Sequence, residues 1–300
     1  MSQDRIQKFL HDEGMIRASV IIATDVVEEM RKTLDAFDIA TVFLGRSMMG
    51  ALLMAAHLKK GENVGMYFRG NGPLKFAYAE GDHSGATRAY TVEPKLQLPL
   101  KDKKLDLGSA IGIGLFEVVR GANQSKKLQT GAVEIRTGQV GDDIAYYLYQ
   151  SHQIPSLVAL SVQLNPDGKV KSAGGILIEL MPGADQQLIE KIEARMKSAK
   201  SIDELISHGT SPEELMNQYL ADFKMVQLDH DAKIRYECRC SLERVKKALY
   251  LLGYNELDNL IETSETGFHE VGCDFCGRKY QLSVDEIRKL REKSYKNSLN

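Results

Sequence analysis

Two hydrophobic periods alternate along the chain, and the changes of period mark its elements. "MIRASVIIAT", residues 15–24, has strand character, and "DVVEEMRKTL" after it repeats at helical spacing. "GRSMMGALLMAAHLKKG", residues 45–61, predicts an apolar helix stopped by Gly61. Two apolar runs meet about Asn71-Gly72 in "VGMYFRGNGPLKFAYAEG", and two more about Asp167-Gly168 in "LSVQLNPDGKVKSAGGILIEL". Both patterns predict hairpins. "VGDDIAYYLYQSHQIPS" predicts a helix that ends before Pro155. Strands and helices follow one another without regular alternation, so the expected class is α+β, with residues 1–183 as a mixed core domain.

The pattern changes after "MPG" at 181–183. Residues 184–232 carry ten acidic and five basic side chains and almost no strand signal. Leu188, Ile189, Ile192 and Met196 share one helical face, and Leu215, Tyr219, Leu220 and Phe223 form a second stripe. Ser201 with Glu204, and Ser211 with Glu214 behind Pro212, have capping-box spacing. These features predict a connector of short helices, each too small to persist without packing on a neighbour.

Residues 233–300 form a third segment. Ser241 is placed to cap a helix through "LERVKKALYLLG" ending at Gly253, and Ser283 with Glu286 to cap another through "VDEIRKLREK". All four cysteines of the 300-residue chain lie here, as Cys238-x-Cys240 and, 32 residues on, Cys273-x-x-Cys276. Each close pair lets one turn of chain offer two sulfurs, and two pairs complete a closed tetrahedral thiolate site for Zn²⁺, one per chain, with an iron–sulfur cluster as the alternative. A closed site leaves no position for a metal-bound water, which argues against hydrolysis. Gly272 and Gly277 flank the second pair and would let backbone approach the sulfurs. His269 lies near and is an alternative ligand, although four thiolates make an ordinary histidine the simpler reading. A structural zinc that never changes fits the same spacing. A switch requires in addition that each pair close a disulfide and that metal loss unfold something useful.

Composition narrows the classes. The net charge is -2, and residues 233–300 hold 13 basic against 11 acidic side chains, with Glu262, Glu265, Glu270 and Asp274 around the second pair. A nucleic-acid-binding zinc ribbon would need a clearer basic face. The first ten residues have no apolar signal region, and no uncharged apolar run reaches the roughly 18 residues that span a bilayer. A cytoplasmic protein without membrane or nucleic-acid partners is expected, and there clustered thiols point to metal or redox chemistry. Gly108, Gly112 and Gly114 in "GSAIGIGLF" lack dinucleotide-loop spacing, no phosphate loop occurs, and the seven histidines form no catalytic motif. The chain is not expected to be an enzyme, although a thiol oxidoreductase using Cys273-x-x-Cys276 is conceivable. Met48, Met49 and Met54, at helical spacing in an apolar stretch, are expected in the core.

"YECRCSLERVKKAL" followed by "VGCDFCGRKYQLSVDEI" resembles the zinc end of the 33 kDa chaperonin family, the redox-regulated bacterial heat-shock chaperones. "FLGRSMMGALLMAAHLKKGE", "GNGPLKFAYAEG", "GATRAYTVEP", "SHQIPSLVALSV" and "GGILIELMPGA" look like that family's segments in the same order, so the resemblance covers essentially the whole chain. His152 stands where an acidic residue is expected, and is read as a surface change. The resemblance implies an ATP-independent holdase that is zinc-bound and inactive when reduced. It implies ligation by Cys238, Cys240, Cys273 and Cys276. Oxidation would form the disulfides Cys273–Cys276 and then Cys238–Cys240, release the metal and unfold the connector. Active homodimers would then hold unfolding client proteins.

Overall fold

The computed structural model describes residues 4–122, 128–184 and 186–298. They form two units, Met1–Glu237 and Cys238–Asn300. The first unit runs β1 (Arg5–His11), β2 (Ile16–Ile22), α1 (Thr24–Leu34), α2 (Asp38–Ala55), β3 (Glu62–Gly70), β4 (Phe76–Asp82) and β5 (Ala86–Thr91). It continues with α3 (Leu107–Ile111), β6 (Gly114–Ala122), β7 (Gln129–Glu134), α4 (Val140–His152), β8 (Ser156–Leu164) and β9 (Val170–Leu180). Then come α5 (Gln186–Ser198), α6 (Ile202–Ser207), α7 (Pro212–Leu220), β10 (Met225–Lys233) and β11 (Arg235–Tyr236). One sheet has five strands in the order β10-β1-β2-β9-β8; the other has six, β11-β5-β4-β3-β6-β7. Both expected hairpins are present, with Arg69 paired to Phe76 in one and Leu164 to Val170 in the other.

The mixed α+β architecture matches the class expected from the sequence. Helix α2 is its centre, packed on β3, β4 and β5 of one sheet and on β8 and β9 of the other. A helix that is apolar all round belongs in a protein core or in a membrane. By length and composition α2 could cross a membrane, yet 89% of that stretch is buried inside the fold. Met48, Met49 and Met54 are all in the core, as expected. The helix begins at Asp38 and ends at Ala55, seven residues earlier and six residues short of the expected span's two ends. Burial of Ile39, Val42, Phe43 and Leu44 extends it backward, and Gly61, at φ 87°, shapes the turn into β3 instead of stopping the helix. Close approach explains Gly81 on β4: a Cβ there would lie 2.8 Å from the Leu52 backbone nitrogen of α2.

Glu28 ties α1 to β9. It accepts two hydrogen bonds from Arg31, at 2.7 and 2.8 Å, and one from the Val170 backbone at 3.0 Å. The Arg31 bond, foremost, holds its carboxyl down to about 2 from the usual 4.5. A depressed folded pKa stabilises above the unfolded value and is lost as pH falls through the folded one. Glu28→Gln is therefore expected to cost about 1 kcal/mol at neutral pH, after allowance for solvent screening. The cost should fade between pH 4.5 and 2, which urea titrations across that window would measure.

The connector closes the other face of the five-stranded sheet. Phe9, Ile16, Ala18, Val20, Ile176 and Ile178 point away from α2 and form a second core. Its cover is Ile192 of α5, Leu205 and Ile206 of α6, and Leu215, Met216, Tyr219 and Leu220 of α7. The Met196 side chain lies outside the described residues. Of the two expected capping boxes one forms in full, Ser211 with Glu214 behind Pro212; at the other, Ser201 accepts from the Glu204 backbone without the reciprocal bond. Asp203 of α6 accepts from the buried Ser161 hydroxyl on β8, and its carbonyl accepts from Gln163 at 2.9 Å. The absence of strand in 184–232 is corrected by β10, which pairs with β1 from Met225 to Lys233. Charged residues in "LDHDAK" hide its strand period, and edge strands carry such charges. Because β10 and β11 join the two sheets, the first unit extends to Glu237.

Candidate metal centre

The second unit contains α8 (Leu242–Leu251), α9 (Tyr254–Glu262), the antiparallel pair β12 (Phe268–Gly272) and β13 (Lys279–Ser283), and α10 (Val284–Ser298). Ser241 caps α8 and Ser283 forms a reciprocal box with Glu286, as expected. Helix α8 ends at Leu251, just before Gly253, as expected; Gly253, at φ 87°, then leads into α9, a helix the sequence reading lacked. The core of this unit is small. Among the described residues, Leu249, Leu257, Leu282 and Ile287 are its buried apolar side chains.

Cys238 and Cys240 leave β11 and precede the cap of α8, while Cys273 and Cys276 occupy the turn between β12 and β13. That turn is tight. Cys273 N donates to Arg278 O at 2.9 Å, and Gly277 N donates back to Cys273 O at 2.8 Å. Gly277 takes φ 66°, which side chains other than glycine adopt at a cost. Gly272 needs no such freedom, being the last residue of β12.

The two pairs converge. Cys238 Sγ lies 3.6 Å from Cys273 Sγ, and Cys240 Sγ lies 3.5 Å from Cys276 Sγ. All four sulfurs lie within 4.8 Å of one another. A tetrahedral Zn²⁺ with bonds of about 2.3 Å has sulfur–sulfur edges of about 3.8 Å, so the donor set fits the ion. His269 is not part of the cluster: its Nε2 meets the Leu260 carbonyl. His152 is exposed at the end of α4, with Nε2 3.3 Å from the Tyr147 hydroxyl, as a surface position would be. The His230 side chain lies outside the described residues.

The thiols cannot all ionise alone. Burial pushes Cys238 up to about 12 and raises Cys276. Burial also opposes ionisation of Cys240, but the Tyr280 hydroxyl and the neighbouring thiols donate to it and bring it down to about 7. One thiolate is thus readily held, and each further one would face like charge at close range. A divalent cation removes that restriction and releases protons as it binds. Tyr280, whose hydroxyl lies 3.0 Å from Cys240 Sγ, is a site residue the sequence reading missed. Its signal was the strand alternation after Cys276, which places Tyr280 opposite Val271.

The model of the family described as "Hsp33 protein" matches residues 4–283. The chain belongs to the Hsp33 family. A 33 kDa chaperonin of Synechococcus sp. (strain JA-3-3Ab) is 39% identical over 281 residues, covering 93% of this chain and 87% of that protein. A 33 kDa chaperonin of Bacillus subtilis (strain 168) is 35% identical over 293 residues, covering 97% and 99%. The crystal structure of the Hsp33 homologue of Thermotoga maritima superposes with a TM-score of 0.86 at 30% identity, covering 98% of this chain and 100% of that one. Hsp33 relatives carry the name of chaperonins, and this membership supports a chaperone function for the chain. The four cysteines form a metal-competent cluster consistent with the Hsp33 family.

Proposed function

We propose that the chain is an ATP-independent holdase whose activity is set by the redox state of Cys238, Cys240, Cys273 and Cys276. The observation that carries this reading is the pairing of a four-sulfur cluster with a connector that covers an apolar sheet face. Cys238, Cys240, Cys273 and Cys276 would hold zinc, whose two positive charges would offset half the charge of the four thiolates and tie the two cysteine pairs together. Segments 1–183, 184–232 and 233–300 act as holding core, connector and metal switch.

Oxidation begins at a thiolate, which attacks peroxide to give a sulfenic acid; the partner thiolate then displaces hydroxide to close the disulfide. Cys273–Cys276 closes first and Cys238–Cys240 follows. A disulfide sulfur no longer serves as a thiolate ligand, so the second unit loses the ion that holds it. Cys238 stands two residues beyond β11, so unfolding there loosens the end of the connector. Release of α5, α6 and α7 bares Phe9, Ile16, Val20, Ile176 and Ile178. That apolar surface takes unfolding clients and joins two copies into the active dimer. The acidic excess of the connector keeps it in solution when unfolded. The protein works in the cytoplasm, with no part for nucleic acid or membrane. Around the metal turn, Lys279 is paired with Glu270 at 2.7 Å and Lys246 with Glu286 at 2.9 Å, which counts against a phosphate-binding face.

The test follows one sample by two readouts. Reduced protein should hold one zinc per chain. Peroxide with mild heat should release it to a chromogenic chelator, and light scattering should then show suppressed aggregation of a heat-unfolded client. Oxidised, zinc-free protein that leaves aggregation unchanged would end the holdase reading.

A further inference from the structure

The sulfurs of the cluster are not equivalent in what donates to them. Cys238 accepts the backbone N–H of Cys240, and Cys276 accepts the backbone N–H of Arg278. Cys240 accepts a side-chain hydroxyl, that of Tyr280, at 3.0 Å. Tyr280 is itself hydrogen-bonded by the Arg278 side chain. The strand pairing fixes this arrangement: Lys279 faces Gly272 and Tyr280 faces Val271, so β13 carries the phenol back along the metal turn. The ring packs against the small core of the unit, which limits its rotation.

We propose that Tyr280 is a positioning residue of the switch, donating its hydroxyl to the Cys240 sulfur so that this thiolate is held in place and reacts late with oxidant. The inference rests on the redox reading above and deepens it. A thiolate attacks peroxide with a sulfur lone pair: the S–O bond forms as the O–O bond breaks, sulfur gives up two electrons, and hydroxide leaves. A neighbouring thiolate then attacks that sulfur, the S–S bond forms, and the second hydroxide leaves. A hydrogen bond donated into the attacking lone pair must be weakened before the first step. Backbone N–H donors at Cys238 and Cys276 are fixed by the turns and cannot be removed by a side-chain change. The Tyr280 hydroxyl can, which makes it the adjustable element of the cluster. Arg278, by holding the phenol, acts through Tyr280.

The experiment uses the full zinc-loaded chain as wild type, Tyr280→Phe and Arg278→Met. Each is treated briefly with peroxide and blocked with iodoacetamide, and the oxidised fractions at Cys240 and Cys276 are counted by mass spectrometry. In Tyr280→Phe the rate at Cys240 relative to Cys276 should rise about three- to tenfold, as expected for loss of one hydrogen bond. Arg278→Met should move the same ratio in the same direction by less. A purely structural role for the ring would leave the ratio where it was, since phenylalanine keeps the packing. An unchanged Cys240:Cys276 ratio in Tyr280→Phe overturns the inference. If that variant no longer holds zinc, Arg278→Met, which keeps the phenol, decides by the same criterion: an unchanged Cys240:Cys276 ratio there overturns the inference. The ratio also separates the two readings: a wild-type protein that fails to protect clients defeats the holdase proposal, while the ratio still reports on Tyr280.

Discussion

Cys273→Ser is expected to abolish tight zinc binding and to unfold the second unit at ambient temperature. The reason is the size of its core. Among the described residues, Leu249, Leu257, Leu282 and Ile287 are its buried apolar side chains. Below about 70–80 residues, one core rarely supplies more than about 3–5 kcal/mol. Structural zinc contributes roughly 10–16 kcal/mol in small domains. A serine hydroxyl at neutral pH is not a thiolate, so one of four ligands and its charge are lost. Of the remaining thiols, Cys238 and Cys276 revert toward protonation, because burial holds them up. Hydrogen exchange should show loss of protection across α8, α9 and β12–β13, with a chelator assay reporting well under one zinc per chain. On the proposed coupling, protection in 184–232 should fall too, and the reduced variant should hold clients without oxidant. Full protection of the connector in a zinc-free variant would break the link between metal and connector.

Leu215→Ala is expected to have the second large effect, and to separate the connector from the metal. Leu215 is fully buried on α7, against the face carrying Phe9, Ile16 and Val20. Truncation of such a leucine costs about 2–5 kcal/mol. Helix α7 runs only from Pro212 to Leu220, and isolated helices below about 12–15 residues are marginal in water. Its capping box contributes about 1 kcal/mol, too little to offset the lost packing. The connector should open locally while the α2 core, on the opposite side of the sheet, stays closed. Measured together, the variant should retain one zinc, bind a hydrophobic dye, and slow client aggregation in the reduced state. A dye-binding, zinc-loaded variant with no effect on aggregation would show that the covered sheet face is not the holding surface.

Expectation and structure differ where non-local pairing decides. The hairpins about Asn71-Gly72 and Asp167-Gly168 were legible because turn chemistry is local. So were the caps at Ser211 and Ser283, each a contact across three residues. Strand β10 was not, since its partner β1 is more than two hundred residues away and its own period is masked by charge. The start of α2 was missed for a related reason: burial on two sheets, not a capping residue, sets where that helix begins.

By itself the sequence determined the metal-competent cluster, because its ligands come as two local pairs that each need only a turn of chain. It also determined the amphipathic stripes and caps of the connector, which are properties of neighbours three and four residues apart. Only the tertiary structure decided what those stripes cover, namely the face of the five-stranded sheet turned away from α2. Only it brought Tyr280 onto Cys240, across 40 residues of chain. The physical reason is the same in both cases: periodicity fixes which side of an element is apolar, while strand register fixes what that side meets.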